Sequence, residues 1–313
     1  MILGVAGAGA FGTAMAIALA DGGQQVRLWG RDPDQINRLR TTRENARYLP
    51  GIPLPATVEP VSQIAALADA SCVLLVVPAQ TTALFWEAHG TALKGCQVLL
   101  CAKGVEKGTF RLQSEICPDA VGVLTGPGFA AEIARGLPTA LTLALRTADP
   151  GLQEALSRPR LRLYMTNDLV GAQLGGALKN VVAIAAGIAI GASLGESARA
   201  AIMTRGFAEM RRLALAMGAR ESTLAGLSGL GDLSLTCASD KSRNFAHGLA
   251  LGRGVNPDKS TVEGVATAQA ALGLAARHGV EMPVAQAVAS VLDGSARVDQ
   301  AIGQLLARPL RAE

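Results

Sequence analysis

The first half of the chain alternates short apolar runs with longer segments rich in Ala and Leu. The apolar runs lie at residues 2–6, 25–29, 73–77, 97–101, 121–125 and 139–145. Most of the intervening segments are long enough for a helical crossover, and this alternation is typical of parallel strands covered on both faces by helices. The pattern predicts an α/β domain with a doubly wound parallel sheet.

The pattern changes near residue 167. Residues 169–313 carry long helical patterns with almost no β-branched alternation, interrupted by glycine-rich turns such as SGLG at 228–231. We therefore predict an α/β domain over 1–167 and an all-helical domain over 168–313. The most membrane-like stretch, 181–194, has 14 residues. Because a membrane span needs about 20 residues, we interpret this stretch as a buried helix.

Composition agrees with a soluble two-domain protein. Of the 313 residues, 50% are hydrophobic and 17% are charged, which excludes a disordered chain. Aromatic residues make up 3% while glycine occurs 36 times, so packing must rely on close approach of backbones. The net charge of +4 suits a cleft for small anions but comes without the dense basic runs of a nucleic-acid binder.

The five cysteines and the amino terminus predict a cytoplasmic protein. The cysteines are odd in number and show no metal-ligand spacing, so we expect reduced thiols, no disulfide framework and no metal site. The first apolar segment has no basic region before it and breaks into a glycine-rich turn, unlike a signal peptide.

A glycine motif, GAGAFG at 7–12, follows the first predicted strand and leads into a helical segment. In this setting Gly7 makes the tight turn, Gly9 admits a pyrophosphate to the backbone, and Gly12 lets helix and strand pack closely. The helix N-terminus, which includes Ala10 and Phe11, then faces the anion with the positive end of its dipole. The motif predicts a Rossmann fold that binds a dinucleotide.

The end of the second strand indicates which dinucleotide is preferred. An acidic residue there would bond the ribose 2′-hydroxyl, whereas this chain has Arg31, which could accept a 2′-phosphate. We therefore expect NADP or NAD, with NADP preferred. The alternative is that Arg31 pairs on the surface with Asp32.

Ten short motifs give the chain a resemblance to the bacterial NAD(P)-dependent glycerol-3-phosphate dehydrogenase family over nearly its whole length. They are GAGAFGTA at 7–14, YLPG at 48–51, VPAQ at 77–80, AKG at 102–104, LTGPGFA at 124–130, LKNV at 178–181, TRG at 204–206, GLGDL at 229–233, SRN at 242–244 and VEG at 262–264. The resemblance implies interconversion of sn-glycerol 3-phosphate and dihydroxyacetone phosphate, which supplies the glycerol backbone of phospholipids. It also implies a homodimer.

The resemblance implies that Lys179 and Asp232 are catalytic. Alcohol oxidation needs a group that removes the hydroxyl proton while hydride leaves, and Lys179 matches the family's catalytic lysine. We expect Lys179 at the start of an apolar helix over 178–194, where partial burial lowers its pKa. Asp232 corresponds to a substrate-site aspartate that could orient the ammonium, and read without the family it is a helix N-cap.

The remaining expected site residues come from the same matches. Those expected at the substrate are Lys103, Gly126, Gly128, Lys179, Asn180, Asp232, Thr236, Ser242, Arg243 and Asn244. Those expected at the cofactor are Gly7, Gly9, Ala10, Phe11, Gly12, Arg31, Tyr48, Pro78, Lys103, Ala130, Arg243 and Glu263. The consecutive donors of SRN at 242–244 suit the three oxygens of a phosphate, with a helix start as the alternative reading.

One departure from the family concerns the substrate site. Gly128 stands where the family usually has serine, so a hydroxyl contact is lost, while Phe11 replaces a common tryptophan and keeps an aromatic face. Two other functions stay open: a 3-hydroxyacid or keto-acid reductase of the same superfamily, and a non-catalytic dinucleotide sensor. The presence of Lys179, Asp232 and Arg243 together favours the phosphorylated triose.

Overall fold

The computed structural model describes residues 1–257 and 262–307. The described chain divides into two compact units. The first comprises Met1–Lys103 and Gln113–Leu169, and the second comprises Gly104–Leu112 and the described residues from Val170 onward. Residues 258–261 and 308–313, which fall in the predicted helical domain, lie outside the described residues.

The first unit is built on one sheet of eight strands. The strands are β1 (Ile2–Ala6), β2 (Gln25–Trp29), β3 (Val58–Val61), β4 (Cys72–Leu75), β5 (Gln97–Leu100), β6 (Gly122–Thr125), β7 (Thr139–Leu145) and β8 (Leu161–Thr166). Their order is β3-β2-β1-β4-β5-β6-β7-β8, and every pair is parallel except β6 with β7. The predicted fold class, a Rossmann sheet followed by a helical region, is confirmed.

Helices connect these strands. They are α1 (Ala10–Leu19), α2 (Pro33–Thr42), α3 (Thr82–His89), α4 (Gln113–Ile116), α5 (Ala130–Ala134) and α6 (Pro150–Leu156). The chain runs outward from β1 to β3 on one side and from β4 on the other, so the strand order reverses between β1 and β4. Ligands of open α/β sheets bind at the carboxyl ends of the strands at such a reversal.

Two strands, β3 and β8, do not appear among the predicted apolar runs. Both are edge strands, and their sequences VEPV and LRLYMT mix buried with exposed or charged positions. Pro60 in β3 is tolerated because an edge strand has one row of backbone groups without ladder partners. An edge strand therefore needs no continuous apolar run. Because the strands were predicted from continuous apolar runs, β3 and β8 were not predicted.

The second unit is helical. Its helices are α7 (Leu169–Gly191), α8 (Gly195–Ala216), α9 (Glu221–Ala225), α10 (Asp232–Cys237), α11 (Arg243–Gly252), α12 (Glu263–Arg277), α13 (Pro283–Leu292) and α14 (Val298–Leu306). A single π-helical turn, Leu227–Gly231, joins α9 to α10. The carboxylate of Glu209 on α8 is buried and accepts hydrogen bonds from the Val284 and Ala285 amides, which satisfies the first turn of α13.

Helix α7 is longer than the sequence pattern predicted. It has 23 residues and begins at Leu169, so Lys179 lies in its middle and not at its start. Glycines at 171, 175 and 176 concealed its first half. Among the described residues it alone is long and apolar enough to cross a membrane, yet 89% of its most apolar window is buried inside the protein. Burial, and not shortness, identifies it as a core helix.

Glycines let α7 and α11 approach at backbone distance. A Cβ on Gly187 would lie 2.1 Å from the Phe245 carbonyl oxygen, and one on Gly191 would lie 2.3 Å from that of Leu249. The contact is reciprocal, because a Cβ on Gly248 would lie 2.0 Å from the Ile184 carbonyl oxygen. The expected close packing of backbones is therefore present within the second unit, where these glycines hold two helices of one chain together.

The segment Gly104–Leu112 belongs to the second unit, although the sequence pattern assigned it to the first domain. Its Phe110 packs over Gly273 of α12, where a Cβ would lie 2.3 Å from the ring. Arg277 lies with its guanidinium carbon 4.6 Å from the Phe110 ring centroid and donates a hydrogen bond to the Thr109 carbonyl. These long-range contacts fix the segment on α12.

The α7–α11 contact predicts that the effect of a glycine-to-alanine change on the free energy of unfolding depends on whether the glycine lies in this contact. Gly248→Ala should lower the free energy of unfolding by about 1–3 kcal/mol, because the new Cβ collides with backbone. Gly303→Ala on α14 is the matched control, since a Cβ there meets nothing within 4 Å. Alanine is the better helix former, so this control should be neutral or stabilising by about 1 kcal/mol. Urea unfolding of both variants checks the difference, and equal effects would contradict it.

Candidate functional site

The glycine turn between β1 and α1 contains glycines of two kinds. A Cβ on Gly7, whose φ is +136°, would lie 2.2 Å from the Val76 carbonyl oxygen, and one on Gly12 would lie 1.8 Å from that of Gly7. A Cβ on Gly9 would meet nothing within 4 Å. The protein itself therefore requires glycine at 7 and 12, whereas at 9 it leaves open space above the backbone.

Helix α1 begins directly after this open position. Its N-cap is Gly9, which makes no side-chain cap, and its first turn carries Ala10 and Phe11. The first amides of a helix have no partner within the helix, so they attract an anion. An open approach above Gly9 combined with these amides fits the pyrophosphate of a dinucleotide.

Four other residues expected at the cofactor lie in the first unit. Arg31 is exposed two residues after β2, Tyr48 is exposed with the Arg47 guanidinium carbon 5.2 Å from its ring, Pro78 is exposed after β4, and Ala130 begins α5. The alternative pairing of Arg31 with Asp32 is not formed. Asp32 instead caps α2 through the Asp34 amide at 3.0 Å and pairs with Arg38 at 3.9 Å.

Lys103 and Gly126 meet at the carboxyl ends of β5 and β6. The Lys103 ammonium donates a hydrogen bond to the Gly126 carbonyl at 2.8 Å. Gly126 has a φ of +137°, and a Cβ on it would lie 3.1 Å from the Leu141 Cα, so the turn needs glycine. At Gly128 a Cβ would lie 2.9 Å from the Ile133 Cδ1, so a larger residue there would require the end of the Ile133 side chain to shift.

A buried ionic cluster lies in the second unit. The Lys179 ammonium donates to Asp232 Oδ1 at 2.9 Å and to Thr236 Oγ1 at 2.7 Å. The Thr236 hydroxyl in turn donates to Asp232 Oδ1 at 3.1 Å. Lys179, Asp232 and Thr236 are 7%, 2% and 3% exposed. A buried charge must be paired and hydrogen-bonded, and here α7 supplies the cation while α10 supplies both partners.

Asp232 does not take the N-cap position that its sequence context suggested. The N-cap of α10 is Gly231, and Asp232 lies in the first turn with its carboxylate at Lys179. The π-helical turn before it brings α10 to this depth, since a Cβ on Gly175 of α7 would lie 2.6 Å from the Ser228 carbonyl oxygen. Such turns occur frequently at functional sites.

The thiol of Cys237, next to Thr236, stays neutral beside this cluster. Burial raises the pKa of Cys237 to about 12, and the opposing attraction of Lys179 is the smaller effect. All five cysteines are free. Within the described part of the chain, no group of three His, Cys, Asp or Glu side chains could hold a metal ion.

The side chains of the three consecutive donors at 242–244 lie in different environments. Ser242 caps α11, accepting from the Phe245 amide at 3.2 Å. Arg243 is exposed at the first position of α11. Asn244 is buried, donating to Asn180 Oδ1 at 2.9 Å and accepting from the Gly264 amide at 2.9 Å. The helix-start reading therefore holds for Ser242, while Asn244 joins α7, α11 and α12.

Glu263, the last residue expected at the cofactor, is half-buried at the start of α12. Its neighbour Gly264 is required by packing, because a Cβ there would lie 2.7 Å from Asn244 Oδ1. Sequence reasoning missed two residues of the first unit, Gln35 and Asn45, whose amides contact the glycine turn. Neither lies in a motif, so only the fold reveals them.

The reversed strand order, the glycine turn and the open position above Gly9 define a Rossmann-fold protein of the dinucleotide-binding class. The chain belongs to the NAD-dependent glycerol-3-phosphate dehydrogenase family. The family's N-terminal profile matches residues 3–150 and its C-terminal profile matches residues 168–303. The family suggested by the sequence motifs is thereby confirmed.

Individual relatives agree with this membership. A glycerol-3-phosphate dehydrogenase [NAD(P)+] from Ruegeria is 54% identical over 321 residues, covering 100% of both chains. One from Paracoccus denitrificans is 52% identical, again covering 100% of both. A crystal structure of glycerol-3-phosphate dehydrogenase from Coxiella burnetii is 37% identical with a TM-score of 0.93, covering 98% of this chain and 99% of that one.

The two kinds of glycine predict opposite effects of alanine. Gly9→Ala should leave the melting temperature unchanged, because the protein has room for the methyl group, yet weaken dinucleotide binding at least about tenfold by occupying the approach to the backbone. Gly12→Ala should instead destabilise the fold, since its Cβ would lie 1.8 Å from a carbonyl oxygen. Calorimetric titration with NADPH and thermal unfolding check the contrast. Unchanged binding in Gly9→Ala would contradict it.

Proposed function

We propose that this chain catalyses reversible hydride transfer between NAD(P)(H) and the pair sn-glycerol 3-phosphate and dihydroxyacetone phosphate. The observation that carries the proposal is the buried cluster in which Lys179 pairs with Asp232 and Thr236. The full-length similarity to dehydrogenases named for this reaction supports the choice of substrate. A non-catalytic sensor would have no use for a buried, paired lysine, since burying a charge is costly.

The first unit would hold the cofactor. The amides at the start of α1 and the open backbone at Gly9 suit its pyrophosphate, and Arg31 suits a 2′-phosphate. Ala10, Phe11, Tyr48, Pro78 and Ala130 would complete this surface. The family resemblance implies Lys103, Arg243 and Glu263 as further cofactor contacts. When bound, the nicotinamide supplies or accepts the hydride.

Lys179 would move the proton. In the reducing direction its Nζ donates a proton to the carbonyl oxygen of the triose as hydride adds to the carbonyl carbon, leaving a neutral amine and a secondary alcohol. In the oxidising direction the neutral amine removes the hydroxyl proton. The carboxylate of Asp232, 2.9 Å from Nζ, favours the ammonium and so prepares the acid needed for reduction.

Asp232 and Thr236 would keep Nζ in one place. Each accepts a hydrogen bond from the ammonium, so Nζ is anchored at two points on α10. The hydroxyl of Thr236 is itself fixed, because it donates to Asp232 Oδ1 at 3.1 Å. The ammonium therefore meets the substrate already oriented, which is a source of catalytic rate.

Arg243 would hold the substrate phosphate. Its exposed guanidinium offers a planar fork of donors at the N-terminus of α11, whose dipole also favours an anion. The hydroxyl proton of the adjacent Ser242 would add a further donor. The family resemblance implies Lys103, Gly126 and Gly128 as further substrate contacts. Asn180 and Asn244 would act from within by fixing α7 against α11, because their amides pair at 2.9 Å.

The wider setting follows from the same proposal. The enzyme would work in the cytoplasm, consistent with five free cysteines, and its product would supply the glycerol backbone of phospholipids. It would act as a homodimer.

Replacing the buried ammonium tests the proton-transfer role. Lys179→Met should lower kcat by about 10²–10⁴-fold, the usual contribution of a general acid, with the Kd for NADPH unchanged. The measurement is steady-state reduction of dihydroxyacetone phosphate, alongside calorimetric titration of the cofactor.

The double variant Lys179→Met/Asp232→Asn separates chemistry from stability. The single variant leaves a buried carboxylate without its cation, which should cost about 3–5 kcal/mol of stability. Neutralising Asp232 should restore much of this stability but no activity. Recovery of kcat in the double variant would show that Lys179 acts only through folding.

Arg31→Ala tests cofactor preference. If Arg31 binds the 2′-phosphate, KM for NADPH should rise by about tenfold, the scale of one charge-assisted contact, while KM for NADH changes little. Arg38→Ala is the matched control, because Arg38 lies on the neighbouring helix and pairs with Asp32. Equal increases of KM for both cofactors in Arg31→Ala would refute the assignment.

A further inference from the structure

The carbonyl of Ala8, in the middle of the glycine turn, is held by two side-chain amides. Gln35 Nε2 on α2 donates to this oxygen at 2.7 Å, and Asn45 Nδ2 donates to it at 3.0 Å. Asn45 also donates to the Thr13 hydroxyl in α1 at 2.6 Å. One carbonyl thus receives donors from two segments that are distant in sequence from the turn.

Burial makes these contacts specific. Asn45 and Thr13 are 2% and 1% exposed, and Ala8 is itself buried. A buried amide without a hydrogen-bond partner is costly, so Asn45 is constrained to keep its contacts. Gln35 is only half-buried and could turn to water without that cost. Gln35 therefore does not need the Ala8 carbonyl to satisfy its own amide.

The direction of the Ala8 carbonyl decides the direction of the next amide. The peptide bond between Ala8 and Gly9 is trans, as are all described peptide bonds, so the Ala8 C=O and the Gly9 N–H point in opposite directions. Holding the oxygen toward Gln35 and Asn45 therefore turns the Gly9 N–H the other way. Gly9 is also the residue whose Cβ would meet nothing within 4 Å.

The electrostatic consequence concerns an anionic ligand. A carbonyl that rotated toward a bound pyrophosphate would repel it, whereas an N–H in that position attracts it. Glycines on both sides of Ala8 give the turn freedom to rotate this peptide plane. Side-chain donors that fix the plane remove that freedom before the ligand arrives.

We propose that Gln35 and Asn45 are positioning residues for the cofactor pyrophosphate, acting through the Ala8–Gly9 peptide. The proposal rests on the proposed use of a dinucleotide and assigns no role to either residue in proton transfer. It extends the pyrophosphate site beyond the glycine motif to α2 and to the turn after it, which also carries Tyr48. The ligand class is a nucleotide with a pyrophosphate bridge.

The test uses Gln35→Met and Asn45→Leu, which remove the donors and nearly preserve volume. Each should raise the Kd for NADPH by about three- to tenfold, the scale of one hydrogen bond, and the double variant should raise it further. With the cofactor saturating, kcat and the KM for dihydroxyacetone phosphate should stay within about twofold of the unmodified protein. Asn37→Leu, on the exposed face of α2, is the matched control and should change neither constant.

Two nucleotide fragments separate positioning of the pyrophosphate from other effects. Binding of ADP-ribose, which contains the pyrophosphate, should weaken as much as binding of NADPH, whereas 2′-AMP, which lacks it, should compete as well as before. Equal weakening of 2′-AMP would overturn the proposal, because the residues would then act on the adenosine end.

Measurements of stability distinguish a positioning role of Gln35 and Asn45 from a purely structural one. Asn45→Leu breaks a buried hydrogen-bond network and is expected to lose stability. Half-buried Gln35→Met therefore decides the matter if Asn45→Leu does not fold. A lower melting temperature in Gln35→Met with unchanged Kd for NADPH would overturn the proposal in favour of a purely structural role. Because binding is measured without any triose, a wrong assignment of the substrate would leave this result unaffected.

Discussion

A lysine ammonium in the middle of an apolar helix is the constraint on which the second unit is organised. Lys179 lies at the eleventh position of the 23-residue α7 and is 7% exposed. An unpaired charge at this depth would cost several kcal/mol, so the fold must bring a carboxylate to it. Asp232 meets that need, and the π-helical turn, the glycines beneath it and α10 all serve to place that carboxylate.

Small residues set how closely α7 lies to its neighbours. The π-helical turn approaches α7 at Gly175, and α11 approaches it at backbone distance further along, with glycines of α7 facing carbonyls of α11 and glycines of α11 facing carbonyls of α7. A chain with 3% aromatic residues has few large side chains to keep helices apart. Low aromatic content and high glycine content therefore both favour close packing of helices. Polar side chains such as Asn244 can then hydrogen-bond across the short distance between two helices.

Much of this could be predicted from the sequence, and the reasons are physical. Central strands are buried on both faces, so they appear as continuous apolar runs, and the glycine motif has a backbone requirement at Gly7 and Gly12. Edge strands β3 and β8 could not be found in this way, because one side of each strand has no neighbour. The start of α7 was hidden by its glycines, since glycine normally indicates a break, whereas here it marks close contact with Ser228.

The direction in which individual side chains point could not be predicted from the sequence motifs, and helical geometry explains why. Successive residues on a helix are separated by about 100°, so adjacent side chains do not face the same partner. Ser242, Arg243 and Asn244 form a dense set of donors in sequence, yet Ser242 lies just before α11 as its cap, and on the helix Arg243 is exposed while Asn244 is buried against Asn180. The same rule separates Lys179, which faces α10, from Asn180, which faces α11. A motif of adjacent residues on a helix therefore indicates a junction of several elements, with one residue reaching the ligand and its neighbour fixing the helix that carries it.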